Sequence, residues 1–250
     1  MESFYGKPPK YSYFNGCSTG GRQGLALAQQ YPDAYDGISA NAPAIEMPNA
    51  APGIYWPQQL MNELQEYPLG CEIDAITKTA VTACDGLDGV IDGLVEDTIG
   101  CLDSFNPFEL VGTTVHCVQT GSDVTISEAA AAVANGTWTG SGLFPGYSPS
   151  TDLVNTQSGL TGIAATVCSP DGVCSEGFPS PYGVQWLKIL AAKNLSIDLS
   201  KLSRDEFLGL MQSSDEEFGD AFTLNDPDLR PFRDAGGKLV TYHGLVSGSL

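Results

Sequence analysis

Gly16-Cys17-Ser18-Thr19-Gly20 holds a serine between glycines at the Gly-x-Ser-x-Gly spacing of a nucleophile elbow. A serine projected from a tight strand-to-helix bend sits in strained backbone, and the flanking glycines let the two elements approach closely. Ser18 is the candidate nucleophile. The amide of Thr19, at the start of the next helix, is the candidate donor to the oxygen of a tetrahedral intermediate, where one donor is typically worth about 3 kcal/mol of barrier. A Gly/Ser turn without chemistry fits the same five residues, so the flanking elements must decide. A phosphate loop does not fit, because no Gly-Lys-Ser/Thr follows.

The second concentration of chemistry is acidic. From Cys84 to Asp97 the chain carries five carboxylates, Asp85, Asp88, Asp92, Glu96 and Asp97, with no basic residue among them. Such crowding is unfavourable unless a cation neutralises it or water solvates it. Interleaved glycines and hard oxygen donors suit Ca²⁺, although the spacing is not that of an EF-hand; a solvated acidic loop is the competing reading.

The elements that must position these groups are readable in outline. Tyr11 to Phe14 read as a strand, Gly16 to Gly21 as a tight turn, and Leu25, Leu27, Ala28 and Tyr31 as a helical stripe ended by Pro32. Tyr35 to Pro43 reads as a strand running into a loop, which completes a βαβ unit and predicts a parallel α/β sheet. Lys238 to Tyr242 predicts a further, buried-type strand that leads into His243-Gly244, after a short helix over Asp228 to Ala235. Residues 51–225 differ in character. No Lys or Arg occurs between Lys78 and Lys188, while twelve Asp and Glu do. Capping boxes are predicted at Thr125-Ile-Ser-Glu128 and Ser203-Arg-Asp-Glu206. The layout is therefore an α/β core over residues 1–50 and 226–250, interrupted by a loop-rich insertion over 51–225.

Composition narrows the partners. With 42% hydrophobic residues the 250-residue chain can bury a sizeable core. Its formal net charge of −19 would repel nucleic acid and an anionic membrane surface, and both are excluded as partners. No run approaches the roughly 18 apolar residues of a membrane span. Seven cysteines, at positions 17, 71, 84, 101, 117, 168 and 174, fit a disulfide framework better than zinc, since no Cys-x-x-Cys occurs and the only histidines are His116 and His243. Cys84 with Cys101 would close the acidic loop and Cys168 with Cys174 a shorter one, leaving Cys71 with Cys117 as a possible third pair; six cysteines allow fifteen connectivities. The sequons at Asn135 and Asn194 point, with the cysteines, to secretion and glycosylation, although no export signal is present at Met1, and the odd cysteine leaves one thiol without a partner. Oligomeric state is not legible.

Tyr13-Phe-Asn-Gly-Cys-Ser-Thr-Gly-Gly-Arg-Gln-Gly24, with Tyr31-Pro-Asp-Ala-Tyr-Asp-Gly-Ile38, Ala42-Pro43, Asp85-Gly-Leu-Asp-Gly-Val-Ile-Asp-Gly93 and Phe232-Arg-Asp-Ala-Gly-Gly-Lys-Leu239, resembles the fungal tannase and feruloyl esterase family of secreted serine esterases. The resemblance implies an α/β-hydrolase core with a large inserted lid, and hydrolysis of feruloyl or galloyl esters of plant phenolics through an acyl-enzyme. It implies structural Ca²⁺ held by the carboxylates of Asp85, Asp88 and Asp92 and the carbonyls of Val90 and Leu94. It also implies that the cysteine before the nucleophile bonds a cysteine directly after the catalytic histidine. Cys17 fits the first half of that arrangement, but His116-Cys117 lies inside the insertion, so Cys17 is expected to lack its partner. At the family's His-Gly-x-x-Asp motif, His243-Gly-Leu-Val-Ser247 puts serine where the triad acid belongs, and His243 matches the non-catalytic histidine. The expectation is a member cut at both ends, with Ser18 present and the triad Asp and His missing, and with little activity of its own. The alternative is an inactive, calcium-stabilised, esterase-like fragment or binding module.

Overall fold

A computed structural model describes residues 2–154, 162–169, 171–224 and 226–244. The chain divides into two units, one of Met1–Met47 with Phe218–Gly244 and one of Pro48–Glu217.

In the first unit β1 (Tyr13–Cys17), α1 (Thr19–Gln30) and β2 (Gly37–Asn41) form the predicted βαβ unit, and β3 (Lys238–Tyr242) joins it. The three strands are parallel in the order β1-β2-β3, with Cys17 beside Asn41 and Asn41 beside Tyr242. The sheet thus delivers the ends of all three strands to one edge, where open α/β sheets place their ligands.

Small residues let α1 lie close on the sheet. It buries Gly21, Gly24 and Ala28, spaced to share one face, while Leu25 and Leu27 pack at its margins. A Cβ on Gly24 would stand 3.1 Å from Ile38 and 3.2 Å from Ala40, so the glycine permits the close approach. Tyr31, expected on the helical stripe, is instead the exposed C-cap. The core here comprises Ala28, Ile38, Ala40 and Phe232, with Phe14, Tyr35 and Leu239 against it. β3 forms where the sequence placed it but is not buried: Val240 and Tyr242 are 63% and 64% exposed, because β3 is an edge strand of the described sheet.

The second unit is mostly helical, built around α2 (Trp56–Leu64), α3 (Gly70–Cys84) and α4 (Glu128–Thr139), with α5 (Arg204–Phe222) running on past its boundary. Its largest fully buried side chains include Met61, Ile73, Ile76, Trp138, Phe207 and Met211. Phe207 of α5 stacks on Trp56 of α2 with ring centroids 5.9 Å apart, and the Trp56 indole N–H donates to the Gly136 carbonyl at 2.8 Å. Two antiparallel hairpins, Thr114–Cys117 with Ser122–Thr125 and Thr166–Cys168 with Cys174–Gly177, complete it.

The caps show how the helices start. Ser203 and Glu206 form the predicted box: the Ser203 N–H donates to the Glu206 carboxylate at 2.8 Å and the Glu206 N–H to the Ser203 hydroxyl at 3.3 Å. The box predicted at Thr125 is displaced. Ser127, not Thr125, caps α4, accepting from the Ala130 N–H, while Thr125 ends a strand. The Ser127 N–H in turn donates at 2.7 Å to buried Glu72, whose other oxygen accepts from the Leu69 N–H at 2.9 Å. Among the described residues no helix is long and apolar enough to cross a membrane.

Candidate active site

Ser18 stands between β1 and α1 at φ 58°, ψ −116°. That region is essentially reserved for glycine, and a non-glycine residue held there costs of order 1–3 kcal/mol. The surroundings enforce it. The Ser18 N–H donates to the Asn41 carbonyl at 3.0 Å, and the Ser18 carbonyl accepts from the N–H groups of Arg22 at 3.0 Å and Ala44 at 3.3 Å. A Cβ on Gly16 would meet the Gly20 backbone at 2.5 Å, and one on Gly21 would strike the Asn41 carbonyl and Pro43. Gly16 and Gly21 are therefore required by backbone-to-backbone approach, whereas a Cβ on Gly20 would meet nothing. The Ser18 side chain makes no capping bond to α1, which leaves its hydroxyl free. Thr19 opens the helix, so its N–H belongs to the first turn, where no intrahelical acceptor exists.

Sequence reasoning missed the polar bracing beneath this bend. The Ser39 hydroxyl donates to the Asn41 side-chain oxygen, and the Asn41 amide donates to Asn15, each at 2.8 Å. Asn15, Ser39 and Asn41 lie toward the carboxyl ends of β1 and β2, and that placement is the signal that could have found them.

Neither histidine is hydrogen-bonded to Ser18. His116 lies on the Thr114–Cys117 hairpin and pairs with Asp123 at 3.0 Å. His243 follows β3, two strands from β1, hence about 10 Å across the sheet at the usual strand spacing. Its Nδ1 contacts the Gly244 carbonyl at 2.8 Å. Ser247 lies outside the described residues.

Cys17 bears a free thiol at an exposed position, while the other six cysteines pair as Cys71–Cys117, Cys84–Cys101 and Cys168–Cys174. In the acidic loop each aspartate turns onto main-chain N–H groups: Asp85 accepts from Asp92 and Gly93, Asp88 from Val90, and Asp92 from Leu94. All of these bonds end on one carboxylate oxygen, so each side chain keeps a second. Among the described residues no three His, Cys, Asp or Glu side chains gather into a metal-holding group.

The family model described as tannase and feruloyl esterase matches residues 1–248. The chain belongs to the tannase and feruloyl esterase family. A probable feruloyl esterase of Arthroderma benhamiae is 36% identical over 98% of this chain and 44% of its own length. A tannase of Aspergillus oryzae is 28% identical over 100% of this chain and 48% of its own length. Among solved structures, tannin acyl hydrolase from Aspergillus niger superposes with a TM-score of 0.77 at 26% identity, covering 97% of this chain and 45% of that one. The chain thus spans just under half the length of these tannase and feruloyl esterase relatives.

Proposed function

We propose that the chain carries the nucleophile of an esterase that hydrolyses aromatic carboxylic esters, feruloyl or galloyl, free or linked to polysaccharide. The single observation behind this is the backbone of Ser18: a serine kept at φ 58°, ψ −116° between a parallel strand and a helix, with its hydroxyl unspent. In the reaction the Ser18 Oγ adds to the ester carbonyl as its proton passes to a general base, and the Thr19 N–H donates to the resulting oxyanion. Collapse breaks the bond to the alcohol, which leaves protonated, and water then cleaves the acyl-serine to release the acid. We assign neither histidine of the chain as the base, since His243 stands two strands from Ser18 and His116 is engaged by Asp123, and the general base and triad acid are taken as absent from this chain. The chain alone turns over little, since losing triad members typically costs about 10⁴ or more in rate. A serine-directed phosphonate tests the assignment: wild type incorporates it, slowly, and Ser18→Ala does not. Equal labelling of the two would refute the role of Ser18. Absence of labelling in both would favour the non-catalytic binding module, the reading supported by the lack of any histidine bonded to Ser18.

The same reading places the enzyme outside the cell, consistent with three disulfides, and glycosylates Asn194 before Asn135. Asn194 is exposed in a turn, whereas Asn135 lies within α4 and its sequon partner Thr137 is buried. The donors of the acidic loop fit calcium chemically, with hard oxygens still available on Asp85, Asp88 and Asp92 and main-chain carbonyls at Val90 and Leu94. Bound there, calcium would hold the insertion, which acts as the lid, and would take no part in the chemistry. Adding CaCl₂ to chelator-treated protein is expected to raise Tm, by an amount that corresponds to about 2.7 kcal/mol at a hundredfold excess over Kd. The rise should vanish in Asp85→Asn/Asp92→Asn.

A further inference from the structure

The second unit contains a cleft of about 460 Å³ lined wholly by its own residues. Its floor is polar, and the bonds already made there determine what remains. Gln58 is 1% exposed, and its amide nitrogen is fully engaged, donating to the Ile163 carbonyl at 2.9 Å and the Ala165 carbonyl at 3.1 Å. This fixes the side-chain oxygen as an acceptor with no donor of its own, lying against Gly177, another cleft residue. A Cβ at position 177 would collide with that oxygen, so the glycine keeps it open.

Beside it, Asn62 bridges two phenols. Its amide nitrogen donates to the Tyr55 oxygen at 3.2 Å, and its oxygen accepts from the Tyr67 hydroxyl at 3.0 Å. Tyr55 therefore keeps its own O–H to give, while Tyr67 keeps lone pairs to receive. Tyr55 is 4% exposed, and burial raises its phenol to about 12, so it stays a donor across the working range of pH. Lys188 reaches the cleft from a rare π-helical turn, Trp186–Ala191, a distortion frequent at functional sites, and among the described residues it has no ion-pair partner despite the acidity of the chain. Two carboxylates also line the cleft, Glu176 and Asp198, the latter already paired with Lys201 at 3.1 Å.

We infer that this cleft binds a neutral polyhydroxylated ligand, a pyranoside of one or two sugar rings, through the Gln58 oxygen, the Tyr55 hydroxyl, the Tyr67 oxygen and the Lys188 ammonium. The fixed groups alternate donor and acceptor, which is what vicinal hydroxyls present in return, each able to give and take one bond. With Asp198 neutralised by Lys201, the remaining charges of the lining are Glu176 and Lys188, so an anion would meet the one and a cation the other, and charge selects against both. The volume lies within the usual range for small-molecule sites.

Titration of the 250-residue chain with methyl β-D-glucopyranoside and with cellobiose, followed by ligand-observed NMR, tests this, with glucuronate and glucosamine as charged counterparts. Saturable binding of at least one neutral probe, stronger than of either charged one, is expected. Tyr55→Phe and Lys188→Met should each weaken it about three- to tenfold, as loss of one hydrogen bond does, while the far-UV circular dichroism is unchanged. Lys188→Met removes a half-buried, unpaired side chain and serves if Tyr55→Phe disturbs the fold. No saturable binding of any neutral probe, tighter binding of a charged probe, or unaltered affinity in folded variants would overturn the inference.

Discussion

At the residue scale the chemistry rests on one strained backbone. Ser18→Gly should relieve the cost of holding a side chain at φ 58°, of order 1–3 kcal/mol, against about 0.5–1 kcal/mol of added freedom in the unfolded chain. The expected net gain is about 1 kcal/mol, or roughly 2–4 °C in Tm, with complete loss of phosphonate labelling. An unchanged or lower Tm would mean that the bend is not strained. Gly16→Ala should do the reverse, lowering Tm, because its Cβ would meet the Gly20 backbone and no flexible atom can yield. Ser18 and its glycines were legible because five residues encode the bend locally. Asn15 and Asn41 were not, since their bond spans 26 positions and appears only once the two strands are in register.

At the element scale the local code was read where a helix start is self-contained and misread where a distant partner intervenes. The Ser203–Glu206 box involves only neighbours and was legible. Thr125 was passed over as a cap because its segment pairs as a hairpin strand, and because Glu72, 55 positions earlier, fixes Ser127. Likewise Gln58 and Gln59 look like surface residues in Trp-Pro-Gln-Gln, yet both are buried, their amide nitrogens donating to carbonyls more than a hundred positions away. The Ser203 N–H and hydroxyl hold the Glu206 carboxyl below its ordinary value of 4.5. A lowered carboxylate stabilises the fold above that value, and the contribution fades as pH falls through the folded value. Ser203→Ala should therefore narrow the Tm difference from wild type as the solution is acidified from pH 7 to below 4, whereas a gap constant with pH would exclude the linkage. Glu72→Ala should be harsher, about 3 kcal/mol in chemical denaturation, because it leaves the Leu69 and Ser127 N–H groups buried without an acceptor.

At the scale of the whole molecule the cross-links are distributed unequally. Cys71–Cys117, Cys84–Cys101 and Cys168–Cys174 all fall within Pro48–Glu217, and the only cysteine of the other unit, Cys17, is free. On the chain-entropy account, loops closed over 46 and 17 residues restrain the unfolded state by about 4 and about 3 kcal/mol, a large share of a typical domain's stability. The parallel sheet draws instead on its own cluster of Ala28, Ile38, Ala40 and Phe232, with no cross-link. Reduction should therefore act on one unit. Under a thiol reductant in native buffer, hydrogen exchange is expected to accelerate across α3 and α4, which carry or adjoin the first two cross-links, while amides of β1 and β2 keep their protection. Exchange that quickens equally in β1, β2 and the cross-linked helices would show that the two cores unfold as one, and that the cysteines secure the nucleophile's bend as well as the insertion.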